Sequence, residues 1–296
     1  MVSFVASLLF QAAQAPAAPP PDPHRLAIGR PGEIKIVAGE MRNTETGQIS
    51  TMDDIVQAAK GHRFVFIGES HDQATHHQFQ ADVISALAKS GRDVMVGFEM
   101  FTRPVQANLN AWPLGWQTED QFIVESDWKK QWGFDFALYR PIFEATKAHR
   151  LPMVALNVPR DWVRKISRGG PDALAPEEQA QVPKIDPTNE NHKKVFEALM
   201  GGHPMTGVQG HNIYCAQVLW DTAMADSALK YWDRMPRTRN SVMVIVAGIG
   251  HTMYGQGINY QIKKRTGESG LNLAAINAKE PATISRGLAD FVAAFE

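Results

Sequence analysis

Short apolar runs that end at glycine or at a polar residue recur along the chain. The first covers residues 64–67 and ends at Gly68, with Glu69 and His71 just after it, and it predicts a core strand over residues 63–68. A run of this length is typical of a buried β-strand, and Gly68 marks the point at which such a strand ends. Similar runs predict further core strands at residues 93–98, 152–157, 242–247 and 271–276.

Helical spacing of apolar residues separates these runs. Between the first two strands, one apolar face predicts a helix over residues 75–89, and a longer helix is predicted over 210–232. Strands that alternate with helices are typical of an α/β fold. We therefore predict an open, mostly parallel sheet that is flanked by helices.

The periodic pattern weakens in two places. Residues 169–187 are rich in proline, glycine and alanine, so we predict that residues 160–205 form a helical insertion or lid. Near the N-terminus, residues 34–39 and 44–51 predict a small β-ribbon with a turn near Asn43.

The first 25 residues have the pattern of an export signal and a linker. Residues 2–10 are mostly apolar, a small-residue cleavage site follows at 13–15, and residues 16–23 are rich in proline and alanine. We therefore predict a signal peptide and disordered linker over residues 1–25 and a single domain over 26–296. The expected location is periplasmic or secreted.

Composition and charge argue against several classes of function. The 296 residues include 30 basic and 31 acidic side chains, so attraction to nucleic acid is not expected. Cys215 is the single cysteine, so we expect neither an intramolecular disulfide nor a lipid anchor near the cleavage site. The chain has no Gly-x-Ser-x-Gly elbow, no Walker loop and no dinucleotide-binding glycine fingerprint.

Four polar residues stand within four positions of the predicted strand ends. They are Glu69, His71, Glu99 and His251. Because parallel strands bring their carboxyl ends to one edge of a sheet, we expect these side chains to converge there. They can hold a divalent metal ion such as zinc, manganese or iron, with His71, Glu99 and His251 as its ligands. They can equally form an acid–base pair without a metal.

A polar stripe lies on the predicted long helix. It consists of His211, Tyr214, Gln217, Asp221 and Met224, which follow one another at steps of three or four residues. The other faces of this helix carry apolar residues, so both sides can be buried and the polar side can line a cavity.

Arginines and tyrosines elsewhere offer contacts for an anionic or iron-containing molecule. Arg140 and Arg160 can bind carboxylates with two hydrogen bonds. Tyrosinate can bind ferric haem iron, so Tyr139, Tyr214 and Tyr254 are candidate axial ligands. Their spacing does not select among them.

Five segments between residues 60 and 275 share a pattern with one known family. They are Gly68 to Asp72 with His77 and Gln80, Gly97 to Phe101, Trp132 to Phe143, Ala216 to Ala225, and Gly248 to Ile258. In these segments the chain resembles the ChaN-like haem-binding uptake proteins, which are grouped with the TIKI/TraB proteases and the erythromycin esterases. The resemblance implies an α/β fold, an exported bacterial protein and haem or iron acquisition. In the enzymatic relatives, the positions of Glu69, His71, Glu99 and His251 carry a metal or catalysis.

Two functions from different classes stay open on the sequence. In the first, the protein binds haem at a homodimer interface, with a tyrosine or histidine on the iron and arginines on the propionates. The candidate haem-binding residues are Tyr139, Arg140, His211, Tyr214 and Tyr254. Its partners would be outer-membrane haem-uptake components.

In the second function, the protein is a metal-dependent hydrolase. Glu69 or Glu99 acts as the general base towards water, and His71 and His251 act as metal ligands or as acid partners. The family resemblance favours haem binding, whereas the residues at the strand ends favour the hydrolase when they are taken alone.

Overall fold

The computed structural model of the protein describes residues 19–296. Nine strands lie in these residues: β1 (Glu33–Ile36), β2 (Met41–Asn43), β3 (Phe64–Glu69), β4 (Asp93–Thr102), β5 (Met153–Asn157), β6 (Ser241–Gly248), β7 (Leu271–Asn277), β8 (Ala282–Ser285) and β9 (Phe291–Phe295). The same residues contain eleven α-helices: α1 (Met52–Ala59), α2 (Ala74–Lys89), α3 (Gln106–Ala111), α4 (Glu119–Glu125), α5 (Trp128–Gln131), α6 (Phe136–Ala148), α7 (Arg160–Gly169), α8 (Pro176–Gln179), α9 (Glu190–Leu199), α10 (Gly207–Arg234) and α11 (Ile258–Thr266). Short 3₁₀ helices lie at residues 103–105, 249–251 and 253–255.

A seven-stranded sheet forms the centre of the fold, in the order β2-β9-β7-β3-β6-β4-β5. Neighbouring strands run parallel, except that the edge strand β2 is antiparallel to β9. β1 and β8 form a separate antiparallel pair. The predicted fold class, an open and mostly parallel sheet flanked by helices, is therefore confirmed.

Helices cover both faces of the sheet and bury its central strands. On one face, α2 and α6 pack together and bring Phe79, Val83 and Phe143 into one core with Val65 and Ile67 of β3. On the other face, α10 and α11 pack against each other and share a core with β5 and β6. A parallel sheet that is covered in this way needs strands that are apolar on both faces, which explains the uninterrupted apolar runs.

Residues 160–205 contain the helices α7, α8 and α9. α7 packs on α10, and its residues Trp162, Val163 and Ile166 share a core with Leu219. α9 contacts the 3₁₀ helix that directly follows β6. The insertion therefore packs on α10 and also reaches the carboxyl end of a central strand.

The predicted N-terminal β-ribbon of residues 34–39 with 44–51 is wrong in its pairing. β1 pairs with β8 and β2 pairs with β9, whereas residues 48–50 turn back onto β2 after Asn43, with an antiparallel bridge between Arg42 and Ile49. Ile34 and Ile36 alternate with exposed residues and share a small core with Ile284 and Val292. Both partner strands come from the other end of the chain, and a local pattern carries no information on so distant a pairing.

The predicted signal peptide falls outside the described residues, which begin at residue 19. Described residues of the predicted disordered linker contact the domain, and Arg25 among them pairs with Glu33 of β1 (3.0 Å). Tyr254 donates a hydrogen bond to the Pro23 carbonyl (2.8 Å), and the Ser285 N–H donates one to the His24 carbonyl (2.8 Å). Among residues 19–296, no helix is both long enough and apolar enough to cross a membrane.

Candidate functional site

The carboxyl end of β3 is held by histidines from the first turn of α2. The Ser70 N–H donates a hydrogen bond to His76 Nδ1 (3.0 Å), and His77 Nε2 lies 3.3 Å from Glu69 Oε2. His71 Nδ1 donates a hydrogen bond to the other oxygen of Glu69 (2.6 Å). Because His76 and His77 are completely buried, α2 fixes the short loop that carries His71.

Glycine at the end of β6 lets the His71 ring lie directly on the backbone of the neighbouring strand. A Cβ atom at Gly248 would lie 2.6 Å from His71 Cε1, so a larger residue would displace the ring. The Gly248 N–H donates a hydrogen bond to Glu99 Oε2 (2.7 Å). β4 continues past its predicted end and pairs irregularly with β5 between Phe98 and Thr102, and such irregularities re-aim side chains such as Glu99.

A buried chain of polar side chains runs from Glu99 into the insertion. His251 Nε2 lies 3.2 Å from Glu99 Oε1, and His251 Nδ1 donates a hydrogen bond to Asp221 Oδ1 (2.6 Å). His192 Nε2 lies 2.9 Å from Asp221 Oδ2, and His192 Nδ1 lies 3.1 Å from the Tyr214 hydroxyl. All five side chains belong to residues that are more than nine-tenths buried, so their charges must balance one another.

Asp221 and His192 are functional candidates that the strand-end pattern did not include. Asp221 belongs to the polar stripe of α10, four residues after Gln217, and both side chains reach the same nitrogen of His251. Gln217 Nε2 lies 3.1 Å from His251 Nδ1. The stripe was therefore a usable signal for Asp221, whereas nothing in the sequence connects His192 of the insertion to the strand ends.

The charges in the buried chain shift the pKa values of its members. Burial alone would raise the pKa of Glu99, but the charge of His251 and the hydrogen bonds that Glu99 accepts lower it to about 2. The pKa of Asp221 is also lowered, against the effect of burial, by His251 and His192. Burial would lower the pKa of His251, but Glu99 and Asp221 hold it well above 6.5. His251 is therefore a stable imidazolium ion between two carboxylates.

These shifts predict a stability that is highest in mildly acidic solution. The lowered pKa of Glu99 stabilises the fold above pH 4.5 by a contribution on the order of 3 kcal/mol, which is lost as the pH falls to about 2. The raised pKa of His251 stabilises the fold below pH 6.5, and this contribution is lost as the pH rises through the raised pKa of His251. We expect the free energy of unfolding in urea to be largest between about pH 4.5 and 6.5. A free energy that stays constant from about pH 6 to about pH 2 would contradict this charge state.

A cavity of about 450 Å³ opens at this edge of the sheet, and we call it the edge cavity. His71, Glu99 and His251 contribute to its wall. Its other lining residues include Met100, Trp132, Phe134, Val158, Arg160, Val163, Arg164 and Trp220. The His71 side chain is 32% exposed, whereas the side chain of its partner Glu69 is 0% exposed. The cavity thus presents one accessible imidazole between aromatic walls.

Two of the predicted haem-binding residues lie on α6. Tyr139 is buried below the loop that carries His71, and its hydroxyl donates a hydrogen bond to the His71 carbonyl (3.1 Å). Burial raises the pKa of Tyr139, so its phenolate is disfavoured. Arg140 is exposed and pairs with Glu119 (2.7 Å). Neither Tyr139 nor Arg140 is among the described residues that line the edge cavity.

The other three predicted haem-binding residues are spread over two further regions. His211 is exposed on α10, and its Nε2 lies 3.4 Å from the Cys215 sulfur. Tyr214 is part of the buried chain and also donates a hydrogen bond to the Asn189 carbonyl (3.1 Å). Tyr254 contacts the N-terminal residues. Burial raises the pKa of both tyrosines. The structure does not bring the five predicted residues together, so their role in binding haem stays a prediction.

The predicted metal ligands share an edge of the sheet without forming a metal centre. Among residues 19–296, no three His, Cys, Asp or Glu side chains are arranged to hold a metal ion. Both nitrogens of His251 lie against carboxylates, and Nδ1 of His71 is bonded to Glu69. The predicted divalent metal site, with His71, Glu99 and His251 as ligands, is therefore not supported.

The chain is similar to several solved structures. A structure described as cofacial haem binding to ChaN of Campylobacter jejuni matches with a TM-score of 0.64 at 18% identity, over 86% of this chain and 95% of that chain. At this identity the likeness concerns the fold. A mutant of the erythromycin esterase EreC in its open conformation matches with a TM-score of 0.48 at 11% identity, over 81% of this chain and 76% of that chain. The type III effector HopBA1 matches with a TM-score of 0.45 at 14% identity, over 83% and 93%. No curated protein matches the chain.

One family model matches the sequence, and it does so over residues 55–262. This range is well over half of the chain and includes Glu69, His71, Glu99 and His251. The family is described as haem-binding uptake, Tiki superfamily, ChaN. The match and the fold agree, and the chain therefore belongs to the ChaN family of haem-binding uptake proteins in the Tiki superfamily.

Proposed function

We propose that the protein binds haem in the edge cavity, with His71 as the iron ligand, and that it serves haem or iron acquisition outside the cytoplasm. Membership of the family supports haem as the ligand. The observation that carries the proposal is the setting of His71. Its Nδ1 is fixed on a buried carboxylate, while its Nε2 has no hydrogen-bond partner among the described residues and is left for a ligand in the cavity.

An imidazole that is held in this way is suited to bind iron. A histidine that ligates a metal usually donates its second ring N–H to a carboxylate or a carbonyl, which fixes the tautomer and the ring orientation. Here Glu69 accepts that N–H, and the flat backbone at Gly248 supports the ring. Burial would lower the pKa of His71, but the hydrogen bond to Glu69 raises it. Iron binding therefore competes with a proton at Nε2.

The remaining walls of the edge cavity suit a flat, apolar molecule that carries anionic groups. Trp132, Phe134 and Trp220 offer aromatic surface. Arg160 and Arg164 are exposed lining residues, and arginine binds carboxylates with two hydrogen bonds, so they are the candidates for the propionates. The volume of about 450 Å³ lies within the roughly 300–1,000 Å³ of small-molecule sites.

Hydrolysis has weaker support from the same geometry. A general base works best when its pKa lies near the working pH. Burial would raise the pKa of Glu69, but the hydrogen bonds from His71 and His77 lower it, and the pKa of Glu99 is lowered to about 2. The pKa of His251 is held high by the carboxylates on both of its nitrogens. Neither candidate base, nor His251, is set to accept a proton from water at neutral pH, so haem binding is the better supported function.

Export and a role in uptake extend the proposal beyond the binding site. The apolar run and the small-residue cleavage site of the first 25 residues support export to the periplasm or the medium. A homodimer and outer-membrane uptake components would be the partners in that role. Fractionation of cells that produce the full chain, with mass spectrometry of the mature N-terminus, tests this part. A cytoplasmic protein with an intact N-terminus would contradict it.

Titration of the purified protein with hemin tests the binding site. We expect a saturable Soret shift and quenching of tryptophan fluorescence, because Trp132 and Trp220 line the cavity. Arg160→Ala is expected to weaken binding about tenfold, which corresponds to roughly 1.4 kcal/mol for one charged hydrogen bond. Arg140→Ala is the matched comparison, because Arg140 pairs with Glu119 away from the cavity. Weaker binding in Arg140→Ala alone would place haem elsewhere.

A further inference from the structure

A second cavity, of about 420 Å³, is lined by residues of the edge strand β5, the insertion and the C-terminal half of α10, and we call it the basic cavity. Its wall carries the cationic side chains of Arg103, Lys230 and Arg234, and no Asp or Glu lines it among the described residues. Within residues 19–296, no residue lines both this cavity and the edge cavity. A concave wall with charge of one sign attracts ligands of the opposite charge.

The positive charge around the basic cavity exceeds the negative charge that lies behind its wall. Among the described residues, Asp226 is the only carboxylate that pairs with the cationic side chains of this cavity. It lies 3.0 Å from Arg103 Nη2, 2.8 Å from Lys230 Nζ and 3.3 Å from Arg265 Nη1. Burial, which Asp226 offsets only in part, lowers the pKa of Arg103 and of Arg265. One negative charge therefore faces three positive charges, and Arg234 adds a further one.

The end of α10 does not explain this concentration of charge. Cations are favoured near the carboxyl end of a helix, and Lys230 and Arg234 lie in the last two turns of α10. Arg103 comes from the 3₁₀ helix after β4 and Arg265 comes from α11, so the dipole of α10 does not bring them to Asp226. Like charges from three elements cost free energy when they converge, unless an anion offsets them.

Arg103 is fixed in place and keeps one donor for a ligand. Its guanidinium group carries five N–H groups. Nε donates a hydrogen bond to Ser227 Oγ (2.7 Å), and Nη1 donates one to the Gln181 carbonyl (2.6 Å). Nη2 donates one to the Ala223 carbonyl (3.1 Å) and one to Asp226 (3.0 Å). These four bonds leave one N–H of Nη1 without a partner among the described residues, on a side chain that loses little freedom when a ligand binds.

We propose that the basic cavity binds a small organic phosphomonoester, at a site separate from that of haem. The proposal goes beyond the proposed function and does not rest on it. A phosphomonoester carries a charge of about −2 near neutral pH and several strong acceptor oxygens, whereas a single carboxylate carries half of that charge. Arginine and lysine are the residues that bind phosphate groups.

The rest of the wall suits the organic part of such a ligand. Val154, Ala155 and Ala180 are apolar, and the half-buried ring of Tyr231 offers an aromatic surface. The volume of about 420 Å³ lies within the roughly 300–1,000 Å³ of small-molecule sites and leaves room beyond a bare phosphate ion. The expected ligand is therefore a phosphomonoester of a compact apolar or aromatic group.

Calorimetric titration of the full chain with phenyl phosphate and with phenyl sulfate tests the proposal, because the two esters share a shape and differ in charge. We expect one phenyl phosphate to bind per chain at about pH 8, at least about tenfold more tightly than phenyl sulfate, and to bind more weakly below about pH 6, where the phosphate takes up a proton. Inorganic phosphate is expected to bind more weakly, because it lacks the organic part. No binding of phenyl phosphate at about 10 mM, or an equal affinity for phenyl sulfate or inorganic phosphate, overturns the proposal.

Arg234→Gln shows whether the ester binds in the basic cavity. Arg234 lines this cavity and has no ion-pair partner within residues 19–296, so we expect about tenfold weaker binding of phenyl phosphate and an unchanged free energy of unfolding in urea. Arg237→Gln is the matched control, because Arg237 pairs with Asp233 and does not line the cavity. Wild-type affinity in Arg234→Gln, or an equal loss in both variants, overturns the proposal. Weaker binding in Arg160→Ala but not in Arg234→Gln also overturns it, because the ester would then lie in the edge cavity.

Discussion

Replacement of His71 by alanine is expected to lower the affinity for ferric haem by about 100-fold or more, which corresponds to about 2.7 kcal/mol. His71 offers the accessible imidazole nitrogen of the edge cavity. His251 cannot take its place, because both of its nitrogens lie against the carboxylates of Glu99 and Asp221. Any haem binding that His71→Ala retains would come from the aromatic walls and the arginines of the edge cavity. The measurement is a hemin titration followed in the Soret region, and we expect the band of histidine-ligated haem to be lost in His71→Ala.

Two further variants decide whether this effect is loss of a ligand or damage to the loop. His71→Gly leaves space in which exogenous imidazole can bind, and we expect imidazole to restore the Soret band of the wild type. His203→Ala changes an exposed histidine that does not line the cavity and should leave the affinity unchanged. Wild-type affinity in His71→Ala would exclude His71 and return the choice of ligand to Tyr139, Tyr214 and Tyr254.

The central strands could be predicted because burial on both faces leaves an uninterrupted apolar run. The predicted runs at 63–68, 152–157 and 242–247 correspond to β3, β5 and β6 within a residue at each end. β4 extends beyond its predicted end to Thr102, because an irregular pairing lets the strand continue through the polar Glu99. The pairing of β1 with β8 could not be predicted, since it depends on contacts between the two ends of the chain.

The candidate site shows the same division between local pattern and distant packing. Strand ends mark Glu69, His71, Glu99 and His251, and the structure places all four at one edge of the sheet. The pattern does not say which side chain pairs with which, because that depends on strand register and on how α10 crosses the sheet. It therefore could not distinguish the accessible His71 from the enclosed His251, although both follow the same Gly-x-x-His spacing.

Asp221→Asn is expected to lower the free energy of unfolding by about 3–5 kcal/mol. Asp221 is 0% exposed, accepts the hydrogen bond from His251 and lies beside His192. Its replacement leaves the charge of His251 balanced by Glu99 alone and puts a neutral amide between two imidazoles. The measurement is urea unfolding at about pH 6, where the charged chain contributes most. Asp233→Asn is the matched control on α10, because its exposed pair with Arg237 should be worth at most about 1 kcal/mol.

Removal of the charges of both Asp221 and His251 shows whether the loss of stability comes from a broken ion pair or only from poorer packing. The double variant Asp221→Asn/His251→Gln removes both members of the Asp221–His251 pair, whereas each single variant leaves one of them without the other, so we expect a smaller loss than the sum of the two single losses. Additive losses would mean that the two side chains do not interact as ions. A loss below about 1 kcal/mol in Asp221→Asn alone would contradict a charged Asp221 at this position.

The buried polar side chains also connect to His71, the proposed haem ligand. Glu99 accepts a hydrogen bond from the Gly248 N–H, and the His71 ring lies against Gly248, so a disturbed Asp221–His251–Glu99 network should loosen His71. We therefore expect Asp221→Asn to bind hemin more weakly than Asp233→Asn, although Asp221 does not line the edge cavity.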